Sequence, residues 1–247
     1  MSALAPLSAF DPPALPVPAG DGASFAVRLA GKYQGRVTGH FVQPGREGRY
    51  APLPEGLPGP LAAALRARGV EQLYAHQAQA WEAVAGGGHV VLATPTASGK
   101  SLCYTLPVVS GVMTRKAKAL YLFPTKALSQ DQVAELLELN RAGDLGLKPA
   151  TFDGDTPGDQ RQAIRLNGDI VVSNPDMLHQ GILPHHTKWA QFFEGLQYVV
   201  IDEIHTYRGV FGSHLANVLR RLRRVCAFYG VRPQFILCSA TIGNAKA

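Results

Sequence analysis

A lysine at position 100 and two adjacent carboxylates at positions 202 and 203 are the side chains in this sequence best suited to chemistry on a phosphate chain. Lys100 stands in Gly99-Lys100-Ser101, after the apolar run Val90-Val91-Leu92-Ala93 and the short loop Thr94-Pro95-Thr96-Ala97-Ser98. Strand, loop and helix in that order make a cradle in which backbone N–H groups and the positive helix N-terminus meet phosphates. Lys100 would reach the β- and γ-phosphates, and the Ser101 hydroxyl would hold Mg²⁺. A strict P-loop has Gly where this chain has Thr94. The Gly-Lys-Ser tripeptide alone is a weak signal, and the flanking strand and helix carry the reading.

The acidic pair opens Asp202-Glu203-Ile204-His205, directly after the apolar strand candidate 198–201. Two carboxylates at the end of such a strand cost solvation energy unless something cationic faces them. A magnesium ion on the phosphates supplies that charge. Asp202 would hold the metal through its water shell, and Glu203 would orient and deprotonate the attacking water. His205 would bond across the site to a glutamine or to the next strand's loop. The bland alternative is a surface acidic turn. Ser239-Ala240-Thr241, at the end of the last strand candidate, offers two hydroxyls that could relay nucleotide state to a bound strand. By itself that tripeptide carries no meaning.

An alternating pattern has to position these groups. Strand candidates fall at 89–93, 119–123, 149–152, 170–173, 198–201 and 234–239, and helix candidates at 100–113, 126–140, 158–166, 175–180 and 213–228. Near-continuous Val/Ile/Leu strands alternating with helices predict an α/β fold with a mostly parallel sheet covered on both faces. Ligands of such sheets bind at the carboxyl ends of the strands. Three further segments follow strands: Pro124-Thr125-Lys126, Gly154-Asp155-Thr156 and Ser173-Asn174-Pro175-Asp176. Thr125, Thr156 and Asn174 suit N-caps, and Pro157 suits a first helical position. Three helix N-termini on one rim could form a track of phosphate-sized sites. Ordinary helix capping explains the same residues, and the sequence leaves both readings open.

The 247 residues are 46% hydrophobic with a net charge of +6, a balance that favours a polyanionic partner such as nucleic acid. Residues 1–22 are Pro- and Ala-rich and are expected to be a disordered lead-in. Residues 23–60 are expected to be a small accessory segment, with β-like pieces at 25–29 and 36–42 and a Pro/Gly-rich linker at 51–60. Helices are expected at 61–68 and 73–84, and the main domain at 61–247. No apolar run is long enough to span a bilayer, and no signal-peptide pattern opens the chain, so a cytoplasmic location without membrane contact is expected. Cys103, Cys226 and Cys238 fit no zinc or disulfide spacing and read as reduced, buried thiols. Arg220, Arg221, Arg223 and Arg224 could line a DNA path or form a solvated helix face. Tyr207 and Phe211 could stack on a base or pack under a turn.

TPTASGKS, PTKAL, DGDTP, SNPDMLH, DEIH and SAT, in this order and spacing, resemble the first RecA-like domain of a superfamily 2 helicase. The resemblance covers roughly residues 70–247. It implies a RecA-like P-loop NTPase domain with a small N-terminal extension. It implies ATP with Mg²⁺, with Gln77 reading adenine, although Gln77 also suits a solvated helix position. DEIHTYRGVFGSHLANVLRRLRRVC is similar to the bacterial mitomycin-repair factor A helicases and their RecQ-four-like relatives, which implies a 3′-to-5′ DNA helicase in DNA repair. The same resemblance implies that the three rim segments contact the backbone of single-stranded or forked DNA. An RNA helicase, or a non-hydrolysing nucleotide-binding module, are the alternatives. Thr94 and Ala97 stand where many relatives have Ala and Gly. A second RecA-like domain with arginine fingers is expected beyond residue 247, with this chain a fragment.

Overall fold

A computed structural model describes residues 27–29, 31–33, 36, 48–94 and 98–240. The chain divides into two compact units, residues 1–47 and 48–247. In the first, residues 27–29 and 31–32 are helical, where a β-like piece is expected at 25–29. The rest of both β-like pieces and the lead-in at 1–22 lie outside the described residues.

The second unit opens with β1 (Tyr50–Pro52), α1 (Gly59–Ala67), β2 (Gln72–Tyr74) and α2 (Ala75–Ala85). β1 pairs antiparallel with β2, so the segment expected as linker begins within the unit's own two-stranded ribbon. The helix expected at 73–84 starts later because Gln72–Tyr74 is drawn into that pairing.

The alternating part follows as β3 (Val90–Ala93), α3 (Lys100–Arg115), β4 (Lys118–Leu122), α4 (Lys126–Gly143), β5 (Pro149–Thr151), α5 (Gly158–Asn167) and β6 (Ile170–Ser173). An irregular helical stretch over residues 175–194 leads to β7 (Leu196–Ile201), then α6 (Gly209–Phe228) and β8 (Gln234–Ser239). The sheet order is β3-β8-β7-β4-β6-β5, with every pairing parallel.

Successive strand side chains point to opposite faces. Along β4, Ala119 and Tyr121 join one buried cluster with Cys103, Leu106 and Leu136 from α3 and α4. Leu120 and Leu122 join the other, with Phe192, Leu215 and Leu222 from the irregular stretch and α6. Helices cover both faces, and each fully buried aliphatic side chain contributes about 1.5–3 kcal/mol. The three cysteines are free and buried, and burial pushes the Cys103 thiol up to about 12 and the Cys226 thiol up to about 11. Among the described residues no helix is long and apolar enough to cross a membrane.

Candidate nucleotide site and nucleic-acid rim

The register of the sheet brings the two halves of the phosphate chemistry to one edge. Ala93 ends β3 beside Ser239 of β8, and Ile201 ends β7 beside Leu237 of the same strand. Lys100 and Asp202 therefore follow strands separated by a single strand. They are close enough that the Lys100 charge acts on the Asp202 carboxyl.

Around Lys100, Gly99 adopts a left-handed conformation, φ 71°, at the N-cap of α3. A Cβ there would lie 2.6 Å from Gln77 Nε2, so both the backbone and the space demand glycine. Gln77 is only 2% exposed, not a solvated helix position. Its Oε1 accepts from Tyr74 N at 2.9 Å and its Nε2 donates to Gly99 O at 2.8 Å, so it ties α2 to the loop. His76 Nε2 lies 2.9 Å from Ser98 O, a second tie that the sequence reading missed although His76 adjoins Gln77. Thr94 earns its place where a strict P-loop has glycine, because its Oγ1 accepts from Ser98 Oγ at 2.9 Å. Lys100 Nζ lies 3.5 Å from Thr94 O, and Ser101 Oγ donates to Glu135 Oε1 at 3.3 Å. Thr96 and Ala97, with Pro95, lie outside the described residues, as does Thr241.

At the tip of β7, Asp202 N continues the ladder to Leu122 O at 3.1 Å. Asp202 Oδ1 accepts from the Glu203 amide at 2.7 Å, and Oδ2 lies 3.3 Å from the Tyr104 hydroxyl. Burial pushes the Asp202 carboxyl above its ordinary range and the Glu203 charge adds to it, against the Glu203 amide, Tyr104 and Lys100. Glu203 is held at φ 49°, a left-handed conformation that costs a side-chain-bearing residue about 1–2 kcal/mol. That turn aims its carboxylate at His205, with Oε2 3.1 Å from Nδ1. The same Nδ1 lies 3.3 Å from Ser239 Oγ, so His205 bridges the acidic pair and the end of β8, as expected of a bond to the next strand. Ala240 follows immediately. The Ser101 hydroxyl and the half-buried Asp202 carboxylate are hard oxygen donors beside a second carboxylate. That donor set fits Mg²⁺, which takes few protein ligands and keeps several waters.

The rim segments gather on the same edge. Pro124, Lys126, Gly154, Asn174, Pro175 and Asp176 line one cavity of about 480 Å³, together with Tyr207, Phe211 and His214. Thr125 caps α4 by accepting from Leu128 N at 3.4 Å, and Asn174 Oδ1 accepts from Met177 N at 2.8 Å. Lys126 pairs with Asp155 across two of the segments. Phe211 is 71% exposed at this cavity.

Two expectations need correction. Thr156 does not cap α5: Pro157 is its N-cap residue, and Thr156 Oγ1 instead accepts from Asp153 N at 2.9 Å, closing the turn on itself. Arg161, unremarked in the sequence, locks that turn by donating to Thr156 O at 2.8 Å and Asp153 O at 2.9 Å. Ser173 is 1% exposed and donates to Phe152 O at 2.6 Å, so its side chain faces inward and does not belong to the exposed rim. Of the arginines on α6, Arg220, Arg223 and Arg224 are exposed, while Arg221 donates to His179 O at 3.2 Å.

Known proteins are similar to this chain in sequence and fold. The DEAD/DEAH box helicase family matches residues 74–247. The uncharacterized ATP-dependent helicase YprA of Bacillus subtilis is 54% identical over 211 residues, covering 85% of this chain. The ATP-dependent helicase hrq1 of Schizosaccharomyces pombe is 41% identical over 217 residues, again 85% of this chain. The crystal structure of the DUF1998 helicase MrfA bound to DNA and AMPPNP is 55% identical with a TM-score of 0.79, over 81% of this chain and 28% of that one. The chain spans 28% of the length of YprA and 20% of hrq1. With its six-stranded parallel sheet, its Gly99-Lys100-Ser101 turn and its Asp202–Glu203 pair on one edge, the chain belongs to the DEAD/DEAH box helicase family.

Proposed function

We propose that this chain is the ATP-binding motor half of a DNA helicase, coupling ATP binding and hydrolysis to 3′-to-5′ movement along single-stranded DNA in DNA repair. One observation carries the reading. Lys100 and the Asp202–Glu203 pair follow strands β3 and β7, both hydrogen-bonded to β8, and the rim residues line a cavity on the same edge. The relatives' names, which include ATP-dependent helicases and DNA helicases, support it. Polarity and a repair role rest on the resemblance to the mitomycin-repair factor A group.

In this reading Lys100 pairs with the β- and γ-phosphate oxygens, and the loop amides and the start of α3 share that charge. Ser101 would hold Mg²⁺ directly and Asp202 through its water shell, and the ion would supply positive charge to the phosphate oxygens. Glu203, at 3.1 Å from His205, accepts the proton of the attacking water. His205 reports the state of that carboxylate to Ser239. Gln77, buried and bonded at both ends of its amide, holds the loop. Lys126, the Asn174 cap and the Gly154 turn contact the backbone of the tracking strand, which gives affinity without reading sequence. A second RecA-like half supplies the arginine that this chain's site lacks among its described residues, worth about 10³–10⁵ in turnover.

Lys100→Ala abolishes ATP binding in the full-length protein, measured by titration calorimetry. Glu203→Gln leaves binding intact and lowers turnover by about 10²–10⁴. Unchanged ATPase activity in either variant overturns the assignment. Equal stimulation of the ATPase by single-stranded DNA and RNA of one length would overturn the DNA part alone.

A further inference from the structure

Helix α4 reaches both ends of the proposed machinery. Its first residue, Lys126, lines the rim cavity. Gln132 and Glu135 lie about 9 and about 14 Å further along its axis at 1.5 Å per residue. About one turn apart on the same face, Glu135 bonds Ser101 itself and Gln132 bonds Tyr104, the partner of Asp202. None of the motif segments contains them.

Tyr104 and Gln132 are 1% and 5% exposed. The Tyr104 hydroxyl lies 2.7 Å from Gln132 Oε1 and 3.3 Å from Asp202 Oδ2. A phenol has one proton, so it cannot serve both acceptors fully. Gln132 Nε2 is buried with no partner among the described residues, a cost of about 1–3 kcal/mol. Rotating the amide by half a turn frees the phenol proton and gives Nε2 a partner, leaving Oε1 in its place as the unpaired atom. Nε2 then donates to the phenol oxygen, and the phenol proton goes to Asp202. The O and N of an amide are interchangeable in shape, so this rotation needs no repacking. On the neighbouring turn, Glu135 accepts the Ser101 hydroxyl proton at 3.3 Å. A hydroxyl that gives its proton away from the site turns its lone pairs toward it.

We propose that Gln132, Tyr104 and Glu135 are positioning residues for the magnesium-holding pair. Gln132 aims the Tyr104 hydroxyl at Asp202, and Glu135 aims the Ser101 lone pairs at the metal. Partners behind metal ligands fix orientation in this way and govern affinity. The proposal rests on the nucleotide-site reading above.

The test is titration calorimetry of the chain with ATP, once with excess magnesium chloride and once with EDTA. The ratio of the two affinities is the readout, because a merely structural role moves both together. Tyr104→Phe, Gln132→Leu and Glu135→Met each lower the ratio by about tenfold while the EDTA affinity stays within about twofold. Glu135→Gln, whose amide oxygen still accepts from Ser101, keeps the ratio. An unchanged ratio in Tyr104→Phe and Glu135→Met, or an equal loss in both media, overturns the proposal. Should Glu135→Met or Gln132→Leu fail to fold, Tyr104→Phe decides, since it removes one oxygen. Wild-type chain that binds no ATP in either medium overturns the nucleotide site itself, and this proposal with it. Normal binding with an unresponsive ratio overturns this proposal alone.

Discussion

Gly99 and Gln77 together set the shape of the loop that precedes Lys100. The glycine's left-handed backbone presents its carbonyl to Gln77, and the glutamine amide fills the space a side chain would need. Gly99→Ala should therefore fail twice, through backbone strain of about 1–2 kcal/mol and through a displaced Gln77. The expected result is an ATP affinity at least about tenfold weaker, since 1.4 kcal/mol is a factor of ten. Ser173 makes the opposite case. Its hydroxyl is bonded inward to Phe152 O, so Ser173→Ala should leave single-stranded DNA affinity unchanged while costing about 1–3 kcal/mol in urea unfolding, because a buried carbonyl loses its donor. A fall in DNA affinity with stability intact would return Ser173 to the rim.

Among the elements, α4 is the clearest link between rim and nucleotide. Thr125 caps it, Lys126 faces the cavity, and further along Glu135 bonds Ser101 while Gln132 bonds Tyr104, the partner of Asp202. Lys126 is exposed and already paired with Asp155, so a phosphate must displace that carboxylate to bind. Lys126→Ala should weaken single-stranded DNA binding about uniformly across sequences and reduce the salt slope by about one, measured as affinity against log salt. The strands and caps around this helix were legible in the sequence. β6 and β8 lie where the apolar runs place them, and Thr125 and Asn174 cap as their residue types predict. Side-chain ties across the fold were not legible. Nothing local marks Tyr104 as a neighbour of Asp202, ninety-eight positions away, or Arg161 as the lock of the 153–156 turn. The early segment was misjudged for a related reason, since β1 exists only because Gln72–Tyr74 pairs with it.

For the whole unit, the sheet explains why both carboxylate and lysine readings from distant sequence positions meet. Parallel strands put every following loop on one edge, and burial on both faces leaves that edge as the place where polar side chains converge. A net charge of +6 adds a non-specific attraction to nucleic acid, so affinity for single-stranded DNA should fall steeply as salt rises. The strand order has a further consequence for how the protein comes into being. β8 leaves the ribosome last among these strands, yet it lies between β3 and β7 and hydrogen-bonds to both. Until it arrives, the lysine-bearing turn hangs from a strand with no neighbour, some 140 residues behind the synthesis point. A nascent polypeptide released at residue 233 should accordingly keep much of β4 through β7 but be unable to retain ATP on an affinity resin. Six more residues of translation would close the gap, making nucleotide capture a late, all-at-once event in the life of the chain.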